Sequence, residues 1–140
     1  MSKLNSALDS LAKPFSGVAP WLLRLSLGIS FFLHGYQKFP LPPQKMVVWF
    51  ESEGIIWPEL VTSLVALGEV IAGVGIILGG LLFNQLGNLI TRLSGGAVVV
   101  IMVGAFVIAH PDWFITKDLF MSEQIFLFVL GLYFAIKGNN

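Results

Sequence analysis

The sequence predicts an all-α fold, namely an integral membrane four-helix bundle with a short N-terminal interfacial helix and a helical first loop. Composition is the first observation behind this prediction. Of the 140 residues, 56% are hydrophobic and only 11% are charged, whereas a typical soluble domain carries about 25% charged residues. A soluble domain of this size exposes too much of its surface to hide so much apolar area. Composition therefore argues against an ordinary soluble enzyme.

Four long apolar segments are the second observation, and they set the expected number of helices. A membrane-spanning helix needs about 20 mainly apolar residues, with a range of about 17–25. The first three segments meet this requirement and the fourth is marginal. Buried helices of a soluble core are the alternative, which these lengths disfavour. We predict spans over residues 18–39, 60–83, 86–109 and 119–136, within a single membrane domain that covers residues 1–140.

Two shorter helices are expected outside the spans. Apolar side chains recur at helical spacing before the first span, at Leu4, Leu8, Leu11 and Phe15. This pattern favours a helix that lies on the membrane surface, with a frayed tail as the alternative. In the first loop, residues 44–53 follow Pro43 and precede Gly54. Proline at the start and glycine just past the end are typical of a helix.

Charge and cysteine content narrow the range of partners. Eight Lys and Arg residues balance eight Asp and Glu residues, so no net charge indicates a nucleic-acid partner. The chain has no cysteine, which excludes disulfides, thiol redox motifs and cysteine-ligated iron–sulfur clusters. Five cations fall on the side of the two termini and three on the other side. The positive-inside rule then predicts an inner (cytoplasmic) membrane protein with both termini cytoplasmic.

Glu69 is the most informative polar residue, because a carboxylate inside a span is costly and usually faces a partner in the bundle interior. In this prediction Lys38 and Glu59 mark the same membrane surface. Helix rise then places Glu69 and Arg24 within about 6 Å of each other in depth. We therefore predict an ion pair between Arg24 and Glu69. It either fixes two helices without any chemistry or forms part of a proton or quinone site.

Two histidines complete the set of candidate site residues. His34 lies one turn from Lys38 in the first span, and His110 ends the third. Two imidazoles can hold haem iron, but no ligand spacing and no third ligand stand out, so we predict no metal. His34 fits better as a hydrogen-bonding interior group or a quinone contact. The candidate cofactor-binding residues are therefore Arg24, His34 and Glu69, and no catalytic residue is assigned.

Small residues form a stripe on the second span. They recur at spacings of four, three and four residues, at Gly68, Ala72, Gly75 and Gly79. Small residues let helix backbones approach closely, which is how spans associate in lipid. We predict that this stripe packs against another helix of the same chain. The same role on the third span is expected of Gly96, Ala97 and Gly104.

Several short motifs follow one another along the chain. They are Arg24-Leu-Ser-Leu-Gly28, Phe32-Leu-His34-Gly35-Tyr-Gln-Lys38, Gly54-Ile-Ile-Trp-Pro58 and Gly68-Glu69. In this order and spacing the chain resembles the DoxX family of small four-helix membrane proteins. That family has a similar Arg-x-x-x-Gly, a His-Gly-x-x-Lys ending, a Gly-x-x-x-Pro before its second helix, and a glycine-rich helix with a glutamate. The resemblance extends over residues 20–136.

The resemblance implies a four-helix membrane bundle and a link to redox chemistry. Relatives include subunits of a thiosulfate:quinone oxidoreductase and members of membrane-associated redox-defence assemblies. We therefore expect a subunit or membrane anchor of a quinone-linked redox system, with quinone as the cofactor and a soluble redox enzyme and the lipid bilayer as partners. If the chain is part of an enzyme, it is an accessory oxidoreductase subunit.

Two other functions stay open at this point. The chain could be a non-catalytic scaffold that docks a soluble redox enzyme at the membrane. A small transporter is less well supported, because the sequence has no obvious pair of broken helices. Whether the chain forms an oligomer is also open.

Overall fold

Helices account for the regular secondary structure of the computed structural model, which describes residues 2–140. A short 3-10 turn, Lys13–Phe15, separates the first two helices. The helices are α1 Ser2–Ala12, α2 Ala19–Tyr36, α3 Gln44–Ser52, α4 Pro58–Leu81, α5 Gln85–Ala109, α6 Lys117–Met121 and α7 Glu123–Lys137. The all-helical fold expected from the sequence is confirmed.

The central helices α4 and α5 are long and apolar enough to cross a membrane. They contain 24 and 25 residues, with mean hydropathies of 2.2 and 2.1. Helix α2 has 18 residues and meets the preceding helical segment, Lys3–Phe15, at a bend of 52°. By length and composition, the described residues therefore contain two membrane-spanning helices, or up to three if the bent pair counts as one span.

The last predicted span differs from the structure. Instead of one helix over residues 119–136, the chain forms α6, breaks at Ser122 and continues as α7. Ser122 has extended backbone angles, with φ −88° and ψ 152°, which end one helix and start the next. The 15 residues of α7 extend over about 22 Å at the helical rise, which is less than the hydrocarbon core of about 30 Å.

Both shorter helices predicted from the sequence are present. Helix α3 matches the expected first-loop helix and packs on α4 with Val47 and Phe50 buried. Helix α1 is present where the alternative was a frayed tail, and it packs mainly on the 3-10 turn that follows it. Its apolar residues Leu4, Leu8 and Leu11 are exposed. Their contact with a membrane surface stays a prediction.

The bundle is built around α4 and α5. Helix α4 packs between α2 and α5, α7 packs on α5, and α2 and α7 make a smaller contact. The buried core between them contains Leu27, Phe31, Ile76, Val98 and Phe134. The alternating directions of these helices place the two termini and the α4–α5 turn together at one end. We call this the termini end, and the opposite end, which carries the longer connections, the loop end.

The predicted small-residue stripe of α4 packs against α5, as expected. A Cβ atom at Gly75 would collide with the Ser94 side chain, and one at Gly79 would lie 3.0 Å from the Gly87 carbonyl oxygen. The opposite side of α4 is just as close to α2. There a Cβ at Gly73 would lie 2.5 Å from the Phe32 backbone nitrogen. Close approach on both sides explains why α4 is rich in glycine.

On α5 the prediction that Gly96 and Gly104 allow close helix packing is wrong. A Cβ atom at Gly96 or Gly104 would meet nothing within 4 Å. The close contact is made by Gly95, where a Cβ would lie 2.7 Å from the Gly131 carbonyl oxygen of α7. Ala97 packs at the edge of the core, as expected. Adjacent helical residues point about 100° apart, so an error of one position exchanges a helix-facing residue for an outward-facing one.

Candidate functional site

The predicted ion pair between Arg24 and Glu69 is wrong, because Glu69 pairs with Lys38 instead. The assumed common level of Lys38 and Glu59 caused the error. In the structure Gly35 packs directly on α4, and a Cβ there would lie 2.8 Å from the Glu69 Cβ. Glu69 is therefore level with the end of α2. Arg24 lies 11 residues before Gly35 on the same helix, about 16 Å away along the axis.

The Lys38–Glu69 ion pair is largely shielded from solvent. The Lys38 side chain is 23% exposed and that of Glu69 is 10% exposed. The Lys38 ammonium also donates a hydrogen bond to the His34 carbonyl oxygen at 3.0 Å. A side chain at Gly35 would collide with α4, since a Cβ would lie 2.6 Å from the Ala66 carbonyl oxygen. The bare glycine thus lets α2 come close enough for Lys38 to reach Glu69.

His34 is not an interior residue, in contrast to the prediction. Its side chain is 44% exposed, and Nε2 lies 3.6 Å from the Glu123 Oε1 of α7. The Nδ1 atom lies 2.8 Å from the Ser30 carbonyl oxygen, and the Ser30 hydroxyl donates to Glu123 at 3.2 Å. His34 and Glu69 therefore belong to one polar cluster at the loop end, connected through Lys38, and this cluster joins three helices.

Arg24 lies in a separate polar network at the termini end. Its guanidinium donates to the Ile76 carbonyl oxygen, to Thr91 Oγ1 at 3.0 Å and to Asn139 Oδ1 at 2.9 Å. The Phe134 ring lies below it, 4.7 Å from the guanidinium carbon. The three predicted site residues are thus divided between the two ends of the bundle, so they do not form one cofactor site.

Asn139 is the residue of this network that sequence reasoning missed. Its side chain also donates to the Gly79 carbonyl oxygen at 2.7 Å, and its backbone N–H donates to Asn88 Oδ1 at 2.9 Å. No spacing rule identifies a polar residue that follows the last helix as an interior group. The turn at Gly138, with φ 66°, directs the chain back over the bundle. Glycine readily adopts this left-handed conformation.

An aromatic cavity lies between α5, α7 and the connection around α6, at the loop end. It has a volume of about 530 Å³, and His110 and Trp113 contribute the polar side-chain atoms of its lining. The His110 and Trp113 rings are stacked, with centroids 3.6 Å apart and planes 12° from parallel. The cavity is lined by Val103, Phe106, Val107, His110, Pro111, Trp113, Phe114, Leu119, Ile125 and Phe128.

Local backbone geometry positions His110 and Trp113. His110 ends α5, and the Trp113 N–H donates to the His110 carbonyl oxygen at 3.1 Å. This turn folds the indole back over the imidazole. Sequence reasoning considered His110 only as a haem ligand and did not connect it with Trp113. The signal present in the sequence was the short spacing of His110 and Trp113 between two apolar segments.

Metal binding gains no support from the side-chain arrangement. Across residues 2–140 there is no group of three or more His, Cys, Asp or Glu side chains placed to hold a metal ion. Arg92, the cation within the third predicted span, donates to the carbonyl oxygens of Ala135 at 3.2 Å and Lys137 at 3.4 Å. It therefore binds the end of α7.

A small bundle of apolar helices, with glycine-mediated packing and polar networks at both ends, defines a small integral membrane protein that contacts the lipid bilayer. The family model DoxX matches residues 19–111. The chain therefore belongs to the DoxX family. The match covers α2 to α5 and ends before α6 and α7, so it is shorter than the resemblance noted in the sequence. No curated protein and no solved structure matches the chain.

Proposed function

We propose that this chain is a membrane subunit of a quinone-linked redox system and that the aromatic cavity holds the quinone ring. The proposal places it in the inner (cytoplasmic) membrane with both termini cytoplasmic. The observation that carries it is an apolar cavity with a single imidazole, located between α5, α7 and the connection around α6. Cavities that hold small ligands are mainly apolar, contain a few polar groups and measure about 300–1,000 Å³. The volume of about 530 Å³ fits that range.

The wall residues suit a flat ring with polar oxygens on its edge. Phe106 and Phe128 meet edge to face with centroids 5.9 Å apart, and they form an apolar wall against which a ring can pack. The imidazole of His110 is half-buried and stacks on Trp113. A ring N–H of His110 would donate to a quinone carbonyl oxygen. A hydrogen bond is stronger in apolar surroundings than in water, and most of the lining residues of the cavity are apolar.

Electrons would come from a partner protein under this proposal. A quinone becomes a quinol by accepting two electrons and two protons, and this cysteine-free chain offers no thiolate ligands for an iron–sulfur donor. A soluble redox enzyme on the membrane surface would supply the electrons. The role of the chain is then to bind and orient the ring, with His110 holding one carbonyl oxygen.

A docking scaffold is the competing function, and α1 is the observation that favours it. This helix extends from the bundle and exposes Leu4, Leu8 and Leu11. A scaffold needs such a surface element but has no need of a ring-sized cavity. Quinone binding therefore distinguishes the two functions.

The test measures binding of a short-chain benzoquinone to the purified protein in detergent by quenching of tryptophan fluorescence. We expect His110→Ala to weaken binding about tenfold, because a hydrogen bond and a ring contact are lost. Trp113→Phe should remove most of the quenching signal, which assigns the signal to the cavity. His34→Ala is the matched control, since it removes an exposed imidazole from the same end of the bundle outside the cavity.

Two results would contradict the proposal. Equal affinities of the parent protein and His110→Ala would place any quinone elsewhere. A parent protein that neither retains quinone during purification nor binds the added quinone would favour the scaffold.

A further inference from the structure

We propose that the termini end of the bundle carries a binding site for a phosphate-bearing anion, formed around Arg24 and the N-terminus of α5. A phospholipid headgroup and a free phosphate share this chemistry. The site lies at the opposite end from the aromatic cavity, and its residues take no part in the proposed quinone binding.

Arg24 carries a buried positive charge that has no negatively charged partner. Arg24 is only 6% exposed, and its hydrogen-bond partners Ile76, Thr91 and Asn139 are all neutral. In the described part of the chain, the Lys38–Glu69 ion pair and the His34–Glu123 contact both lie elsewhere. A charge removed from water is costly unless an opposite charge compensates it. Neutral oxygens accept three hydrogen bonds from Arg24 but leave its charge unbalanced.

A cavity lies next to the Arg24 guanidinium. It has a volume of about 650 Å³ and no acidic side chain among its lining residues. Arg24 is joined there by five amide side chains, which can donate hydrogen bonds to phosphate oxygens, and by the Trp21 ring, a group favoured at the membrane interface. The amides are Asn84, Gln85, Asn88, Asn139 and Asn140.

The start of the 25-residue helix α5 lines the same cavity through Asn84 and Gln85. Asn84 accepts a hydrogen bond from the Gly87 N–H at 2.9 Å. The first N–H groups of a helix have no partner within the helix, and the helix dipole makes this end partly positive. Helix N-termini therefore bind phosphate readily. Here that end and the Arg24 charge act on one cavity.

The distribution of charge along the chain agrees with an anionic ligand. Five cationic residues lie on the termini side of the sequence, and Asp9 is the single acidic residue there. Clustered Lys and Arg residues next to membrane helices attract anionic lipid. Asp9 lies on the exposed helix α1 and bonds Asn5, so it does not neutralise Arg24.

The experiment compares anionic and zwitterionic lipids on the full chain. The delipidated protein in detergent is titrated with phosphatidylglycerol, with phosphatidylcholine and with inorganic phosphate, and binding is measured by native mass spectrometry and by the shift in thermal unfolding. We expect selective binding of phosphatidylglycerol. Arg24→Gln should weaken it about tenfold or more through loss of a charge-assisted hydrogen bond. The matched control is Arg92→Gln, which removes a termini-end cation outside the cavity lining.

A second variant covers the case in which Arg24→Gln fails to fold. Gln85→Glu adds a negative charge at the cavity and the start of α5. It should stabilise the free protein slightly through the helix dipole but weaken anion binding. Ser10→Glu adds the same charge on α1, outside the cavity lining, and should weaken binding much less.

The outcomes separate the sources of the anion. Phosphatidylglycerol binding that depends on Arg24 or Gln85 supports a headgroup site. Binding of inorganic phosphate with the same dependence, in the absence of lipid selectivity, supports the site with a soluble anion as its ligand. Equal binding of both lipids without any phosphate binding, or equal weakening by Gln85→Glu and Ser10→Glu, would overturn the proposal.

Discussion

His34 lies on α2 and Lys38 follows four residues later, just past the end of that helix, and each faces a glutamate on another helix. Their environments differ in burial. The Lys38 and Glu69 side chains are 23% and 10% exposed, whereas those of His34 and Glu123 are 44% and 59% exposed. Solvent screens an exposed pair, which contributes about 0–1 kcal/mol. Removal of one member of a buried pair leaves an uncompensated charge behind.

We therefore predict that Lys38→Ala lowers the free energy of unfolding by about 3–5 kcal/mol, because Glu69 loses its counterion. The double variant Lys38→Ala with Glu69→Ala should be more stable than Lys38→Ala alone. Unfolding in mixed detergent micelles measures both values. His34→Ala is the control and should cost less than about 1 kcal/mol. Purely additive single effects of Lys38→Ala and Glu69→Ala would show that the two charges do not interact.

Among the helices, α4 is defined by close contact on two sides. Gly73 faces α2, and Gly75 and Gly79 face α5. In lipid, the hydrophobic effect does not drive helices together, so their association depends on close backbone packing. The bundle therefore depends on which glycines face a neighbouring helix, and two glycine-to-alanine substitutions can have opposite effects.

We predict that Gly73→Ala destabilises the bundle by about 1–3 kcal/mol, the usual cost of overpacking. The new Cβ would lie 2.5 Å from the Phe32 nitrogen and 2.6 Å from the Gly28 carbonyl oxygen. Both are backbone atoms, so neither can rotate away. Gly96→Ala is the matched control, because its Cβ meets nothing within 4 Å. It should raise stability by up to about 1 kcal/mol through helix propensity. The thermal midpoint in detergent should fall for the first and rise for the second, and a shift in the same direction would contradict this account.

For the whole molecule, the two ends differ in charge. The acidic residues Glu51, Glu53, Glu59, Asp112, Asp118 and Glu123 all belong to the loop end, and most cations belong to the termini end. The hydrogen bonds of Arg24 to Thr91 and Asn139 confirm that the starts of α2 and α5 and the end of α7 come together. The orientation of the bundle in the membrane is then defined by which of its two ends faces the cytoplasm.

We predict that the termini end faces the cytoplasm, because it carries the excess of Lys and Arg. A fusion of green fluorescent protein after Asn140 should fluoresce, and an alkaline phosphatase fusion at the same position should be inactive. Fusions within the loop between Pro111 and Thr116 should behave in the opposite way. An active phosphatase after Asn140 would reverse the orientation of both proposed sites.

The sequence alone determined the membrane class, the positions of the long helices and the family. Each of these rests on local chemistry: runs of apolar residues in the α4 and α5 segments, proline before α3, and short motifs around His34 and Glu69. The small-residue stripe of α4 was also predictable, because its spacing lies within one helix. None of these features depends on how two helices are placed against each other.

Only the tertiary structure decided which polar groups meet. Glu69 pairs with Lys38 and not with Arg24, because the close contact at Gly35 sets the register between α2 and α4. Arg24 instead meets Asn139, which lies 115 residues away along the chain. The His110–Trp113 cavity likewise needs walls from α7. The axial offset between two helices depends on packing summed over their whole interface, and a shift of one turn, about 5.4 Å, changes every partner.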